Sequence, residues 1–309
     1  MNYEQIETFL TVVSYGSITS AANYMYLSQS TVSNRIQSLE EELGVQLLYR
    51  AKGQRNIELT GSGTAFIAIA EQWASLYKDT QALKFNENVS PLTIAGVDAV
   101  NSYTFTGLFN RLLEEHPEIK FTINTHHSNE IYGLVENRSA DMGFVFREIN
   151  YPNIVSRPVF RELMYMVTHK ESPYSEGISC TDLPQDQEIF LNWGPDYNLW
   201  HIRHWPAERY PLMTVNTGNI LQHYLHTPGR WAVAPMSVIQ AIQGDDLVFY
   251  RLKESPPPRI CYQITSRYPN FAHVQAIEQF NKAMEDFIKE DGSICLFEEW
   301  MLEEQQKYR

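Results

Sequence analysis

The stretch from Ser17 to Gly44 constrains the fold most strongly, because it predicts two short helices joined by a tight turn. In the second helix, which begins at Ser28, four apolar side chains recur at the spacing of one helix face: Val32, Ile36, Leu39 and Leu43. Ser28 is a suitable N-cap, and the opposite face carries uncharged side chains that can donate and accept hydrogen bonds. Such side chains near the N-terminal end of a recognition helix meet base edges in a DNA major groove. The stretch therefore predicts a helix-turn-helix; a surface helix of any small bundle is the alternative.

Six uncharged polar residues of the second helix are the predicted base contacts. They are Ser28, Gln29, Ser30, Ser33, Asn34 and Gln37. A basic turn between two short strand-like pieces follows, and it predicts a β-wing whose cations contact phosphate or the minor groove. The cations of this turn are Arg50, Lys52 and Arg55. Without the neighbouring helices, an ordinary solvated hairpin would explain the turn equally well.

The charge balance limits how the chain can bind nucleic acid. The whole chain has a formal net charge of −13, and residues 1–90 hold 6 lysines and arginines against 9 aspartates and glutamates. Because affinity for DNA phosphates depends on positive charge, phosphate binding must depend on the local cluster in the wing, and nonspecific affinity is expected to be modest. This balance is the main objection to the DNA-binding interpretation.

Two further helices complete the N-terminal part. A helix from Tyr3 to Ser14 carries an apolar stripe suited to the core of a three-helix cluster. Thr60 is expected to cap a long helix that reaches Phe85, with a seam at coiled-coil spacing. The seam residues are Phe66, Ile69, Trp73, Leu76, Thr80 and Leu83. A second copy of this helix is the simplest partner, and the polar segment that follows it, residues 85–91, is interpreted as a linker.

From Leu92 onward, short apolar strands alternate with helices, which is typical of a parallel α/β sheet. A second α/β region follows, so two lobes are expected. Ligands of such sheets bind at the carboxyl ends of the strands, and the polar residues found there are the predicted effector contacts. They are Asn101, Ser102, Ser128, Asn129, Arg147, Asn192, Trp193 and Thr217. We hypothesise a small effector that is a carboxylate or resembles an amino acid; the alternative is that these residues only cap helices and turns.

Several classes of protein are disfavoured. No apolar run approaches the length of about 18 residues that a membrane span needs, and the N-terminus lacks the pattern of a signal peptide, which together favour a cytoplasmic protein. The cysteines Cys180, Cys261 and Cys295 are too few and too scattered for a disulfide framework or a zinc site. The sequence contains no nucleophile elbow, P-loop or dinucleotide-binding motif. Neither an enzyme nor a cofactor is therefore predicted.

Two histidine pairs have a spacing that metals can use, namely His201 with His204 and His223 with His226. No nearby cysteine, and no combination of histidine and glutamate, completes either set. Packing or surface histidines are the favoured interpretation, and no metal is predicted.

The N-terminal residues resemble a known family. Phe9 and Val13 precede a GSIT segment and an Ala-Ala pair, and the motifs LSQ, VS, LE, LG, LLYR and LT follow in order. About a dozen of these positions agree in identity and spacing with the N-terminal domain of LysR-type transcriptional regulators, over most of residues 1–65. The long helix and the two α/β lobes are similar in architecture to that family's linker helix and periplasmic-binding-protein-like effector domain.

The resemblance implies a tetramer built from two kinds of dimer, an inducer between the lobes and contact with RNA polymerase. It places Gln29, Ser30, Ser33 and Asn34 in the groove, and Arg50 and Arg55 on the DNA backbone. The chain departs from the family at Asn34, where a longer cationic or amide side chain is common. It also departs at its acidic C-terminal end, which we interpret as a solvated surface helix.

The predicted fold class is α+β, with an N-terminal winged helix-turn-helix, a long linker helix and a C-terminal two-lobed α/β effector domain of the periplasmic-binding-protein type 2. The predicted domains are residues 1–59, residues 60–90 and residues 91–309. Within the last, lobe I comprises residues 91–163 and 266–309, and lobe II comprises residues 164–265. The predicted function is a sequence-specific, DNA-binding regulator of transcription that responds to a small-molecule effector. The alternative is a small-molecule carrier with the same two-lobed fold.

Overall fold

A computed structural model describes residues 1–49, 57–82, 90–206, 210–242 and 244–290, together with residues 292, 298 and 301. The chain divides into two compact units. Unit 1 comprises residues 1–88 with 137–139, and unit 2 comprises residues 89–136 with 140–309. In the described part of the chain, no helix is long and apolar enough to span a membrane.

Unit 1 contains four helices and a two-stranded antiparallel sheet. Their bounds are α1 Tyr3–Tyr15, α2 Ile18–Tyr24, α3 Gln29–Leu43, β1 Leu48–Tyr49, β2 Glu58–Leu59 and α4 Gly61–Ala82. The predicted apolar stripe of α3 is buried at Val32, Ile36 and Leu39, which pack against Phe9 of α1 and Ala21 of α2 in one core cluster. The helix ends also follow the sequence, since Ser28 accepts a hydrogen bond from the amide of Thr31.

The first strand of the wing is fixed by a buried carboxylate on α3. Glu40 is 6% exposed and accepts hydrogen bonds from the amides of Leu47 and Leu48, at 2.8 Å and 3.0 Å. Thr60 is the predicted cap of α4, and its hydroxyl accepts from the amide of Gly63 at 2.9 Å. A Cβ atom on Gly63 would lie 2.0 Å from the carbonyl oxygen of Leu47, so only glycine allows this approach.

The predicted coiled-coil seam of α4 is divided between two faces of the helix. Phe66 is buried and Trp73 half-buried in the core of unit 1, where Trp73 stacks against Tyr3 of α1. Ile69 and Leu76 are 55% and 47% exposed. The assignment of Phe66 and Trp73 to an intermolecular seam is therefore corrected, because α1 already covers them. Ile69 and Leu76, two turns apart, remain available for a partner.

Lobe I of unit 2 contains a five-stranded mixed sheet with helices packed against it. Its elements are β3 Ser90–Gly96, α5 Thr106–Glu115, β4 Ile119–Thr125, α6 Ser128–Glu136, β5 Met142–Val145 and β6 Ile154–Glu162. The strand β12 (Arg259–Ser266) and the helix α10 (Val274–Glu290), which come later in the chain, also belong to it. The strand order is β4-β3-β5-β12-β6; β3 is parallel to β4 and β5, and β12 is antiparallel to its neighbours. The predicted parallel βαβαβ arrangement is confirmed for β3, β4 and β5.

Lobe II is built from the intervening part of the chain. Its elements are β7 Met164–His169, β8 Ile189–Leu191, α7 Pro195–His204, β9 Met213–Val215, α8 Gly218–Tyr224, β10 Trp231–Pro235, α9 Met236–Ile242 and β11 Leu247–Tyr250. Here β7 pairs antiparallel with β10 and β11, whereas β8 and β9 pair in parallel. The helix α7 was not predicted, because the aromatic and histidine residues around Trp200 did not form a clear apolar stripe.

The predicted limit of lobe II at residue 265 is wrong. The strand β12 lies between β5 and β6 of lobe I, so the chain has returned to lobe I by Arg259. The prediction failed because β11 and β12 look like consecutive strands of one sheet in the sequence. The proline-rich segment SPPPR between them carries the chain from one lobe to the other.

Candidate DNA-binding face and effector cavity

All six predicted positions at and after the start of α3 are exposed, and Ser30, Asn34 and Gln37 lie opposite the buried stripe. The six residues are Ser28, Gln29, Ser30, Ser33, Asn34 and Gln37. The hydroxyl of Ser28 lies 2.8 Å from that of Ser30, and Gln37 donates to Glu41 at 2.8 Å. The structure thus presents the predicted donors and acceptors together at one surface. Their contact with bases stays a prediction.

The cation of α3 does not belong to this exposed face. Arg35 donates to a carboxylate oxygen of Glu4 at 2.5 Å and to the hydroxyl of Thr8 at 3.4 Å, both on α1. Its charge therefore joins α3 to α1. The three predicted wing cations, Arg50, Lys52 and Arg55, lie outside the described residues.

Two tyrosines in the helix-turn-helix were missed by the sequence reasoning. Tyr26 lies in the turn with a φ of 56°, and its side chain is 96% exposed. Tyr24 is also exposed, with its ring centroid 4.7 Å from that of Tyr15. Phenol groups can donate hydrogen bonds to phosphate oxygens, so both tyrosines are candidates for contacts with the sugar-phosphate backbone of DNA. The run YMY before the recognition helix was the available signal.

Unit 2 contains a cavity of about 770 Å³ that is lined by residues from both of its lobes. Six of the eight predicted effector contacts line it: Ser128, Asn129, Arg147, Asn192, Trp193 and Thr217. They come from the ends of strands β4, β5, β8 and β9, as the strand-end argument expected. Effector binding by these residues stays a prediction, but the structure does bring them to one cavity.

Asn101 and Ser102 do not line this cavity, and the placement predicted for them is corrected. Both lie inside a π-helical turn, Val100–Thr104, instead of opening a helix. The side-chain amide of Asn101 donates to the backbone carbonyl of Asn124 at 3.1 Å and to the hydroxyl of Thr125 at 3.0 Å. Ser102 donates to Asp98 at 2.8 Å. Their polar groups connect the ends of strands, because the chain turns earlier than the sequence suggested.

The cavity wall contains an arginine that the sequence reasoning did not select. Arg259 is only 8% exposed, and its guanidinium carbon lies 3.6 Å from the ring centroid of Phe146 and 5.0 Å from that of Trp193. Its Nη1 atom lies 4.0 Å from an oxygen of Glu162, which is fully buried. A charged residue at the start of an otherwise apolar strand, RICYQI, was the signal available.

Glu162 connects this arginine to the start of α9. Its other carboxylate oxygen accepts a hydrogen bond from the amide of Ser237 at 3.0 Å. Burial raises the pKa of Glu162 above its ordinary value, and the charge of Arg259 and the hydrogen bonds from Ser237 oppose this rise. The three residues join both lobes where the chain crosses between them.

The acidic residues of the cavity wall already have local partners. Glu130 accepts a hydrogen bond from the amide of His127 at 3.2 Å, and it lies 3.5 Å from the imidazole of His126. Asp98 accepts from Ser102, as described above. The wall also contains two arginines, Arg147 and Arg259.

Several of the histidines and cysteines named from the sequence are paired or packed inside unit 2, and Cys295 lies outside the described residues. His201 is buried and lies 2.8 Å from an oxygen of the buried Glu188. Among the described residues, no group of three or more potential metal ligands is found. Burial raises the pKa of Cys180 to about 12, which leaves little reactive thiolate near neutral pH. Cys180 and Cys261 pack in separate hydrophobic clusters.

Comparison with known families accounts for both units. Residues 3–64 match the family described as "Bacterial regulatory helix-turn-helix protein, lysR family", and residues 86–282 match the "LysR substrate binding domain". Among curated proteins, the chain is similar to the HTH-type transcriptional regulator cbl of Escherichia coli (strain K12), with 31% identity over 166 residues, 52% of each protein. It is also similar to the HTH-type transcriptional regulator GltR of Bacillus subtilis (strain 168), with 26% identity over 58% of this chain and 60% of that protein. The chain thus spans about half the length of the first of these relatives and three fifths of the second.

Solved structures resemble the fold over almost its full length. Full-length OxyR from Pseudomonas aeruginosa has a TM-score of 0.68 at 19% identity, covering 92% of this chain and 94% of that one. Full-length CbnR complexed with its target DNA has a TM-score of 0.64 at 19% identity, covering 92% and 100%. These matches confirm the predicted fold class. Since the two family matches together cover most of its residues, the chain belongs to the LysR family of bacterial regulatory helix-turn-helix proteins.

Proposed function

We propose that this protein is a sequence-specific DNA-binding regulator of transcription whose activity responds to a small molecule bound in the cavity of unit 2. The proposal includes no catalytic role. It places the protein in the cytoplasm, as a homotetramer that binds a double-stranded operator and contacts RNA polymerase. The observation that carries it is the exposed, uncharged face of α3 on a family-matched helix-turn-helix.

The face of α3 suits direct reading of base edges. Amide side chains such as Gln29 and Asn34 can form paired hydrogen bonds with adenine, and the hydroxyl of Ser33 can serve as donor or acceptor. Because Arg35 is held by Glu4, this face supplies specificity more than electrostatic attraction. We propose that the wing cations Arg50, Lys52 and Arg55 supply the phosphate contacts.

A dimer is part of the same proposal. Two reading helices bind half-sites about one or more helical turns apart, so each protomer needs a partner. The exposed Ile69 and Leu76 on α4 offer an apolar strip for a second copy of that helix. We propose the domain division of residues 1–59, 60–90 and 91–309 for this assembly, with the return to lobe I moved to Arg259.

The experiment that tests the proposal measures DNA binding directly. The full-length chain is used to select sequences from a random duplex library and from the DNA upstream of its own gene, and affinities for the enriched sites are measured by fluorescence anisotropy. We expect a palindromic site with two half-sites. Failure of both selections at low salt would contradict the proposal.

A pair of matched variants tests whether α3 makes the contacts with DNA. Asn34→Ala should weaken binding to the selected site by about 1–3 kcal/mol and relax the preference at one base pair in each half-site. Gln72→Ala removes an exposed amide from α4 and serves as the control. An equal effect of both substitutions would show that the face of α3 does not read the DNA.

A further inference from the structure

Arg259 is a buried cation whose charge is incompletely compensated within the protein. Its Nε and Nη1 atoms are buried and have no hydrogen-bond partner among the described residues, and neither has the nearer oxygen of Glu162. The separation of 4.0 Å between Nη1 and that oxygen exceeds hydrogen-bonding distance. Leaving buried charged groups without hydrogen bonds is costly, so such a group usually has a functional reason.

The surroundings of Arg259 restrict the way in which it can bind a ligand. The rings of Phe146 and Trp193 lie against the guanidinium, and its Nε and Nη1 atoms are buried, so a ligand must approach the part of the guanidinium edge that lines the cavity. The edge of a guanidinium matches the two oxygens of a carboxylate, and a nearly anhydrous setting strengthens such a pair. Trp193 is itself held by a hydrogen bond of 2.7 Å to the carbonyl of Val233.

The same three side chains line two cavities. Phe146, Trp193 and Arg259 line the cavity of about 770 Å³ and also a neighbouring cavity of about 310 Å³. A ligand that draws Arg259 toward the larger cavity therefore acts on side chains that line both cavities. Because Phe146 belongs to lobe I and Trp193 to lobe II, the same movement acts on both lobes.

Other features of the larger cavity favour an anion that carries an apolar body. The exposed side chain of Arg147 is a second cation in its wall, and the ten-residue helix α7 begins there at Pro195, with Gly194 as its N-cap and no side-chain cap. Apolar contacts are available from Val97 and Leu191. A cavity of this size would be poorly filled by an inorganic anion alone.

We propose that Arg259 is the residue that binds the anionic group of the effector, and that the effector is a small organic carboxylate with an apolar body. The inference rests on the proposed function, because it assigns the ligand class of the same cavity. It adds that recognition of the carboxylate is transmitted to both lobes through the contacts of Arg259 with Phe146, Trp193 and Glu162.

The test uses the full-length chain and compounds matched in shape but different in charge. Each set contains a carboxylate, its uncharged amide and the corresponding amine, for example benzoate, benzamide and benzylamine, with pentanoate and cyclohexanecarboxylate sets alongside. Inorganic sulfate and phosphate form a separate arm. Binding is detected by thermal stabilisation and measured by titration calorimetry. We expect carboxylates to bind, and to bind more tightly than their amides, their amines and the inorganic anions.

Variants then assign the binding to Arg259. Arg259→Gln combined with Glu162→Gln removes both buried charges, so that neither is left unpaired, and should weaken carboxylate binding by about tenfold or more. Arg259→Lys keeps the charge but loses the planar fork, and should give a smaller loss. Arg267→Gln, an exposed arginine just beyond β12, is the matched control and should bind carboxylates as the wild type does. Circular dichroism and thermal melting confirm that each variant is folded.

The outcomes separate this inference from the proposed function. Carboxylate binding that survives in the folded double variant would overturn the role of Arg259. Preferential binding of amides, amines or inorganic anions would overturn the assigned class while leaving an effector-responsive regulator in place. If no compound of any class binds while operator binding is intact, the carboxylate assignment fails and the DNA-binding function stands. If the wild-type protein does not bind any operator, the proposed function itself is contradicted.

Discussion

The guanidinium of Arg35 on α3 lies 2.5 Å from the carboxylate of Glu4 on α1, so this cation is paired within unit 1. In the proposed function, the electrostatic part of DNA binding is therefore assigned to other cations. We expect Arg35→Gln to leave the salt dependence of operator affinity unchanged. Combined Arg50→Ala and Arg55→Ala should reduce the slope of log affinity against log salt by about two. Anisotropy titrations over a series of salt concentrations measure both; a slope reduced by about one in Arg35→Gln would show that Arg35 contacts phosphate.

Glu40 provides a second test, because its buried carboxylate joins α3 to the wing. Glu40→Ala leaves the amides of Leu47 and Leu48 without their acceptor and should lower the free energy of unfolding of unit 1 by about 2 kcal/mol. Urea denaturation followed by circular dichroism measures the change. Glu41→Ala, at the adjacent and exposed position, is the control. Equal stabilities of the two variants would show that this contact contributes little.

The division of α4 into a covered and an exposed face predicts which substitutions affect assembly. Ile69→Asp with Leu76→Asp should reduce the oligomer size measured by light scattering without loss of helix, since both side chains are exposed in the protomer. Trp73→Asp should instead destabilise unit 1, because the ring stacks on Tyr3 and Tyr77. If the charged pair leaves the assembly intact, the subunits associate through another surface.

The contacts of Glu254 lead us to expect that the stability of lobe II depends on pH. Hydrogen bonds from the amide of Cys180 and the hydroxyl of Ser179 lower the pKa of Glu254 below its ordinary value of 4.5. Its contribution to stability is therefore fully present above pH 4.5 and is lost as the pH falls through the lower, folded-state value. Glu254→Gln should be less stable than the wild type at neutral pH and should lose less stability on acidification. Urea denaturation at several pH values measures both differences.

The control for this prediction is Glu171→Gln, which changes an exposed glutamate of the same lobe. Its stability should follow the wild-type dependence on pH. A Glu254→Gln curve that is parallel to the wild-type curve through the acidic range would contradict the assignment.

The sequence predicts local features of this protein better than its long-range contacts. The stripe of Val32, Ile36 and Leu39 and the cap at Ser28 follow from spacing and residue type alone, and both are confirmed. The pairing of Arg35 depends on Glu4, a partner 31 residues away, and periodicity contains no information about that contact. Nor does periodicity show that α1 covers Trp73.

The cavity of unit 2 shows the same difference between local and long-range features. Arg147, Asn192 and Thr217 were found because strand ends of an α/β sheet converge, which is a property of the fold class. Arg259 was missed because its importance arises from two rings that are 113 and 66 residues away in the chain. The insertion of β12 between β5 and β6 could not be anticipated, since pairing between distant strands is not encoded in a local pattern.

That insertion also sets an order in which the molecule can be completed during synthesis. Lobe II is one uninterrupted stretch from β7 to β11, so it can fold as soon as that stretch leaves the ribosome. Lobe I, although it begins earlier in the chain, lacks a central strand until β12 has emerged. The cavity, whose wall includes Arg259, is therefore among the last features to form, and a nascent chain would already carry its complete helix-turn-helix. Limited proteolysis of chains stalled before and after residue 266 would follow this sequence of events.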